Sequence, residues 1–558
     1  MAISAPEKDK LFTVDGYQLS IQDIAYTARS PQHVVVELSS DSRERMDASR
    51  ALKQRLIDTG QPIYGVTTGF GDSCIRQIAP AKTSDLQRNM FRYHMNGTGP
   101  LVPDEVVRAT LLIRANCLAR GNSGVRPAIA QRVLDYLNHD VLPLIPERGS
   151  VGASGDLVPL SYVAAAVFGE GSVRHRGTTR PATDTLGDLG LTRLEPEAKD
   201  ALALLNGTSF SSAFASLAVA DASRVCALGE LCTALAAEAL RGNRGHFSEF
   251  LQVHKPHPGQ AASARNIASL LRGSRLALDH DQVIQLTGEL GARGYLELAR
   301  PIQDRYSVRC APNVIGVLRD TAHWASQWIE VEVNSSNDNP LFDTDAGAVY
   351  SGGNFFGGHV VQAMDSLKTA VANVTDLLDR QLELVIDEKF NNGLTPNLIP
   401  RYPDGSWEEG LHHGFKGMQL ACSAITAEAL KTSGPAGIFS RSTEAHNQDK
   451  VSMAPIAARD ARQVIALAEE VIAIHLLALC QAIDLRGPES MAAGTRACYE
   501  LIRSHVPHVA ADRSMQDDIA TVIELIRSDQ VPTEVSTAVP TEVSTAVTTG
   551  PGAGRSPH

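Results

Sequence analysis

The sequence predicts an all-α fold, and three observations carry that reading. Aromatic residues make up only 5% of the 558 positions while Ala and Leu are abundant, a bias toward helix over sheet. Val360, Met364, Leu367, Val371, Val374 and Leu378 step by 4, 3, 4, 3 and 4, the spacing of an apolar helical seam. Two further long stretches, Ala-rich Phe210 to Leu240 and apolar Ala457 to Leu485, read as helices.

Taken in order, residues 1–60 form a small N-terminal region with a helix over Arg43 to Thr59. Gln61 to Gly71 is rich in Gly and Thr and reads as a loop. Pro103-Asp104-Glu105 opens a helix, with proline in the first turn and acids at the positive dipole end. Val107, Leu111, Ala115 and Leu118 share its apolar face. Pro143 to Pro159 is dense in Gly and Pro, a structured loop feeding a helix. Gly242 can end the Phe210–Leu240 helix. The seam helix runs from His359 to about Ile386, roughly 40 Å at ~1.5 Å per residue. Such helices side by side make a bundle, and seams this apolar often continue into neighbouring chains. Residues 1–530 are therefore read as one unit, with an N-terminal region to about 200 and long central helices over about 210–530. Beyond it, Pro532 to Val539 repeats at once as Pro540 to Val547, then a Gly/Pro-rich end follows; residues 531–558 read as a disordered tail.

Bulk properties exclude several classes. Net charge is −12, and no long Lys/Arg run appears, so neither nucleic acid nor an anionic membrane is an expected partner. Val464 to Leu485 is the most apolar stretch, yet Glu469, Glu470 and His475 interrupt it, which fits a buried helix rather than a membrane span. Met1 to Lys10 carries charge without an apolar core, unlike a signal peptide. Cys74, Cys117, Cys226, Cys232, Cys310, Cys422, Cys480 and Cys498 form no Cys-x-x-Cys pair, so they are expected to be thiols of a cytoplasmic protein without a metal site.

The chemistry centres on Gly152-Ala153-Ser154-Gly155-Asp156. A small tripeptide can cyclise when the Gly155 amide nitrogen attacks the Ala153 carbonyl. Glycine suits this step because its nitrogen is unshielded and its backbone tolerates the turn. Loss of water from the ring and from the Ser154 hydroxyl leaves an exocyclic methylene, a strong electrophile requiring no external cofactor. An Ala-Ser-Gly triple alone reads as an ordinary loop in a chain this rich in Ala. Its flanks, Gly149-Ser-Val-Gly152 and Asp156-Leu-Val-Pro-Leu160, change that.

With Tyr64-Gly-Val-Thr-Thr-Gly-Phe-Gly71, Leu205-Asn-Gly-Thr208, Gln303-Asp-Arg-Tyr-Ser-Val-Arg309, Asn334 to Leu341 with Gly352-Gly-Asn-Phe355, and His446-Asn-Gln-Asp449, these flanks form six ordered segments. In them the chain resembles the aromatic amino acid ammonia-lyases and aminomutases that depend on 4-methylidene-imidazol-5-one (MIO), a family that includes histidine ammonia-lyase. The match spans about Tyr64 to Met453 and continues weakly to about residue 530. The resemblance implies an all-α bundle of the histidine/phenylalanine ammonia-lyase type, a homotetramer, and active sites drawing Tyr64, MIO and Arg309 from more than one chain.

It also implies roles. Ala153, Ser154 and Gly155 would supply MIO, Asn206 and Tyr306 would orient it and the amine, and Tyr64 would be the base. A phenol at its ordinary pKa of ≈ 10 needs a field favouring phenolate to act near neutral pH. Arg309 would clamp the substrate carboxylate bidentately. Gly71 and Asn339 resemble further carboxylate contacts, Phe355 an aromatic wall, and Gln448 a pocket residue. Outside these motifs each residue would more often be structural.

Two places bear on the substrate. Tyr93-His94 is polar where phenylalanine lyases resemble Phe-Leu, which favours a ring hydroxyl. Glu444 resembles phenylalanine lyases, and Gln448 stands where histidine lyases have Glu. The expected reaction is elimination of ammonia from L-phenylalanine, with L-tyrosine close behind, to give trans-cinnamate or 4-coumarate. The alternative is a 2,3-aminomutase that returns the amine to the β carbon; a catalytically dead scaffold is opposed by the intact Tyr64, Ser154, Asn206, Tyr306 and Arg309.

Overall fold

The structure, a computed structural model, describes residues 10–533. The repeat-bearing tail therefore lies largely outside the described residues. Five long helices form the body: α1 (Ser209–Ala239), α2 (Ala311–Val333), α3 (Gly358–Ile386), α4 (Lys416–Thr432) and α5 (Ala454–Arg486). α5 packs along α3, α1 and α4, and α2 packs along α3 and α1. The expected all-α class holds; the strands are short, three to five residues each.

Local sequence explains the ends of these helices. α5 starts behind Met453, which is left-handed at φ 68°, with Pro455 in its first turn. It stops at Gly487, φ 98°, a conformation glycine adopts without strain. All six residues of the seam on α3 are fully buried. Each such side chain contributes about 1.5–3 kcal/mol on burial. α5 is long and apolar enough to cross a bilayer, but 78% of its most apolar window is buried within the bundle.

The expected spans fall within a few residues of those observed, including Ser40–Asp58 for the first long helix and Asp104–Ala119 for the one after Pro103. α2 and α4 were not among the expected helices. α2 buries Ile315, Leu318, Ala322, Ala325, Ile329 and Val333 along one face, but Val317, Trp328 and Val331 on its exposed side blur that stripe in the sequence. Pro143 to Pro159 is not all loop: Val141–Pro143 and Pro146–Arg148 are short strands, and a helix begins at Leu157. Val141–Pro143 joins the hairpin Ser172–His175/Thr178–Pro181 in an antiparallel sheet. Lys10–Val14 and Val34–Leu38 pair in parallel, Lys10 opposite Val34.

One apolar core extends from Val14 through the bundle to Val531. Some of the polar groups buried inside it tie distant segments together. Glu238, near the end of α1, accepts from Ser274 Oγ at 2.7 Å, the Ala492 amide at 2.7 Å and Thr495 Oγ1 at 2.6 Å. Burial raises its pKa, and these three donors oppose that. The carboxylate thus ties α1 to two segments remote in sequence. Replacing it strands three buried donors. Glu238→Ala is expected to cost about 3 kcal/mol, read as a lowered midpoint in denaturant; an unchanged midpoint refutes the assignment.

Candidate active site

Four helices begin around Ala153-Ser154-Gly155. The Leu157–Val167 helix starts just after Asp156, and α1 starts three residues after Asn206. α5 begins beside the same turn: the Met453 amide donates to Val151 O at 2.9 Å. Gly357, at the head of α3, lies against Thr208 and Ala454. Helix N-termini carry partial positive charge, so this convergence favours electron density building up on the tripeptide.

The turn itself is strained. Ser154 is left-handed at φ 51°, and Gly155 follows at φ 76°. A Cβ at position 155 would sit 2.2 Å from Gly207 O, so only glycine fits. Asn206 Nδ2 donates to Ser154 O at 2.9 Å, and the Gly207 amide donates to the same oxygen at 3.3 Å. The Asp156 amide returns a bond to Gly207 O at 2.7 Å. Gln448 Nε2 donates to Ser154 Oγ at 3.0 Å. The Asp156 carboxylate is buried and accepts from Ser211 N at 2.8 Å and Ser211 Oγ at 3.0 Å, welding the turn to the first turn of α1. Burial pushes its pKa to about 7. A strained Ala-Ser-Gly turn, held at its central carbonyl and its hydroxyl, fits the residues that MIO would need.

The expected base lies in the same cluster. Tyr64 Oη accepts from the Gly71 amide at 2.9 Å. The field at this phenol differs from the expected one. Burial and the nearby Glu444 carboxylate raise its pKa, and within one chain only the Gly71 donor pulls the other way. Glu444 Oε1 accepts from the Asp72 amide at 3.1 Å and Oε2 accepts from Asn447 Nδ2 at 3.0 Å, so its carboxylate covers Gly71. Glu444, Ala445 and His446 are all left-handed, at φ 54°, 51° and 66°. Three such residues in a row store strain, a feature that concentrates at functional loops.

Tyr93 and His94 end the helix Thr83–His94, their rings 4.4 Å apart. The Tyr93 phenol is pushed up to about 12, first by burial and then by Tyr64 and Glu444, which places it in the same cluster. His94 Nδ1 lies 2.8 Å from Met90 O, which requires a proton on Nδ1 and leaves Nε2 as an acceptor. Burial lowers its pKa, keeping the ring neutral. Asn339 Oδ1 accepts from the Gly352 amide at 2.8 Å, and Asn354 Nδ2 donates to Ser336 O at 3.1 Å. These bonds brace the loop that carries Phe355 into the head of α3.

Tyr306 and Arg309 lie elsewhere. Ser307 O accepts from Gln381 Nε2 at 2.9 Å, near the far end of α3. Gly357 marks the near end, so the helix alone separates the two groups by roughly 35 Å. α1 agrees: it leaves the tripeptide at Thr208, and past its far end the Asn243 amide donates to Asp304 Oδ2 at 2.7 Å. Tyr306 is 72% exposed, and the Arg309 guanidinium stacks on its ring at 4.5 Å. The expected site residues thus fall into two groups at opposite ends of the bundle.

Sequence reasoning missed the polar layer beneath the turn, where Arg114, Asn337, Lys199 and Asp338 are all buried. Lys199 Nζ meets Asp338 Oδ2 at 2.5 Å, just before Asn339. Charged residues carry no sequence mark of burial, so nothing in the motif pattern exposes this layer. Among the described residues, no cluster of His, Cys, Asp and Glu could hold a metal ion.

Comparisons with known proteins identify the family. A sequence model described as aromatic amino acid lyase matches residues 19–504. A MIO-dependent tyrosine 2,3-aminomutase of Streptomyces globisporus is 37% identical, over 92% of this chain and 94% of its own. A histidine ammonia-lyase of Caldanaerobacter subterraneus is 35% identical, over 94% of this chain and 97% of its own. The solved phenylalanine aminomutase of Pantoea agglomerans superposes with a TM-score of 0.88 at 32% identity, covering 92% of this chain and 98% of its own. The chain belongs to the aromatic amino acid lyase family, whose members share its helical fold and include both ammonia-lyases and aminomutases.

Proposed function

We propose that this protein eliminates ammonia from an aromatic L-amino acid, using MIO formed from Ala153-Ser154-Gly155. The observation that carries the reading is the strained Ser154-Gly155 turn, gripped by Asn206, Gly207 and Gln448 where four helices begin. MIO supplies an electron-poor alkene that captures the substrate amine. Tyr64, with its oxygen at the Gly71 amide, takes the β proton. Arg309 and Tyr306 reach this cluster from another copy, so the working unit is an oligomer, a homotetramer in our reading. Arg309 clamps the carboxylate and brings positive charge to a pocket where Tyr64 and Glu444 otherwise disfavour phenolate.

At the ring end, neutral His94 offers an acceptor beside the Tyr93 hydroxyl. An acceptor left unpaired on binding a plain phenyl ring costs affinity. This moves the preference from L-phenylalanine, where Glu444 alone points, to L-tyrosine. The product is then 4-coumarate. Elimination needs only the groups named above, which favours a lyase. The second reading, a 2,3-aminomutase, draws support from the 37% identity to the tyrosine 2,3-aminomutase. It requires the acrylate to be retained long enough for amine return. Incubation with Tyr, Phe and His separately, followed by product identification, tests the proposal. Acrylate from Tyr supports it, a β-amino acid identifies the mutase, and turnover of His alone sinks both.

Three outcomes are expected. Intact mass of the purified chain is lower than its sequence mass by two waters, and Ser154→Ala abolishes both the deficit and turnover. Ser154→Ala and Arg309→Ala are each inactive alone, yet regain activity when coexpressed, because mixed oligomers contain sites with both half-sites intact; no recovery would contradict sharing between chains. His94→Leu shifts the ratio of kcat/KM for Tyr over Phe downward by about tenfold or more, the scale of one lost hydrogen-bond partner.

A further inference from the structure

Arg114 is the fully buried side chain beneath the tripeptide, and nothing in the proposed reaction has yet used it. It sits on the helix Asp104–Ala119 and lies flat against Gly207: a Cβ there would fall 2.4 Å from Arg114 Nη1 and 2.5 Å from Asn337 Oδ1. Nη1 donates to Asn206 O at 2.8 Å, and Nη2 donates to Asn337 Oδ1 at 3.0 Å. Both acceptors are neutral, and Nε has no partner. Among the described residues no carboxylate pairs with this guanidinium. Burying a cation on such terms is costly.

The peptide it touches explains the cost. Asn206 C=O and Gly207 N–H belong to one peptide group. Arg114 holds its oxygen, and its N–H donates to Ser154 O at 3.3 Å. Hydrogen bonds in series polarise one another, more so in a low dielectric. A buried positive charge on the carbonyl side therefore strengthens the donor on the amide side. Asn337 Nδ2 also donates to Thr208 Oγ1 at 2.9 Å, so Arg114 and Asn337 together fix residues 206–208 in place.

We propose that Arg114 is a positioning residue for closure of the electrophile, acting through the Asn206–Gly207 peptide on the Ser154 carbonyl. The inference rests on the MIO reading above. In the first step Gly155 N–H adds across the Ala153 carbonyl, forming the N–C bond and moving the proton to the Ala153 oxygen. That oxygen leaves as water with the Ser154 amide proton, and a C=N bond remains. In the second step the Ser154 hydroxyl leaves as water with the Ser154 Cα proton, and Cα=Cβ remains. As the Cα proton departs, negative charge develops on Ser154 O. Asn206 Nδ2 and the Gly207 amide already point at that oxygen, and Arg114 sets the strength of the second donor.

The test follows dehydration by intact mass against time in the full-length chain after synthesis in vitro, with circular dichroism and size-exclusion chromatography as controls for folding. Wild type must lose two waters; if it does not, the MIO reading fails and the role of Arg114 falls with it. Given that loss, Arg114→Met is expected to remain undehydrated or to close roughly 100-fold more slowly, the scale of a lost preorganised donor. Arg114→Lys, which keeps the charge, should recover much of the rate. Arg114→Gln guards against a variant that does not fold: it removes the charge but keeps a side-chain amide donor, so it should fold yet dehydrate more slowly than Arg114→Lys. Full dehydration of folded Arg114→Met at the wild-type rate overturns the proposal. So does folded Arg114→Gln closing as fast as Arg114→Lys, since a purely structural arginine would not need the charge.

Discussion

The structure depends on one constrained turn. Ser154 and Gly155 occupy left-handed backbone conformations, and the carbonyl between them is held by two donors from residues 206 and 207. Such a conformation persists only when its surroundings over-determine it. Here they do: the Asp156 carboxylate is fastened to α1, Met453 at the head of α5 grips Val151, and Gly207 packs against Gly155 too closely for any side chain. The same packing brings helix N-termini to bear on the turn. Strain and field are thus two results of one arrangement.

The length of the helices then imposes the second constraint. A helix of about 30 residues spans roughly 45 Å, so groups at its two ends never share a pocket within one chain. Tyr64, Ser154, Asn206, Glu444 and Gln448 gather at one end, Tyr306 and Arg309 at the other. In the proposed mechanism assembly therefore becomes part of the chemistry, as a condition for bringing an electrophile, a base and a carboxylate clamp together. The raised pKa of Tyr64 fits this view, because the charge environment of a single chain opposes the phenolate.

Much of the polar chemistry lies inside the protein. Glu238, Lys199 with Asp338, and Arg114 are buried and mostly hydrogen-bonded, which suits groups that fix geometry rather than bind solvent. They hold loops that have no regular secondary structure of their own, and those loops carry most of the site.

The sequence by itself determined the helical class, the longest helices and the tripeptide proposed to react. Seam spacing on α3 and the run of small and apolar residues in α1 and α5 are local patterns, and local patterns survive in one dimension. It also named Tyr64, Asn206, Tyr306 and Arg309 through motifs that resemble a family. α2 was not among the expected helices because Val317, Trp328 and Val331 place apolar residues on its exposed side and blur its buried stripe. Tertiary structure alone decided that these named residues fall into two groups at opposite ends of the bundle, that Glu444 covers Gly71, and that Arg114 lies under Asn206. Each of those facts depends on contacts between segments sixty or more residues apart, and burial or proximity at that range is fixed by packing, which leaves no periodic mark in the chain.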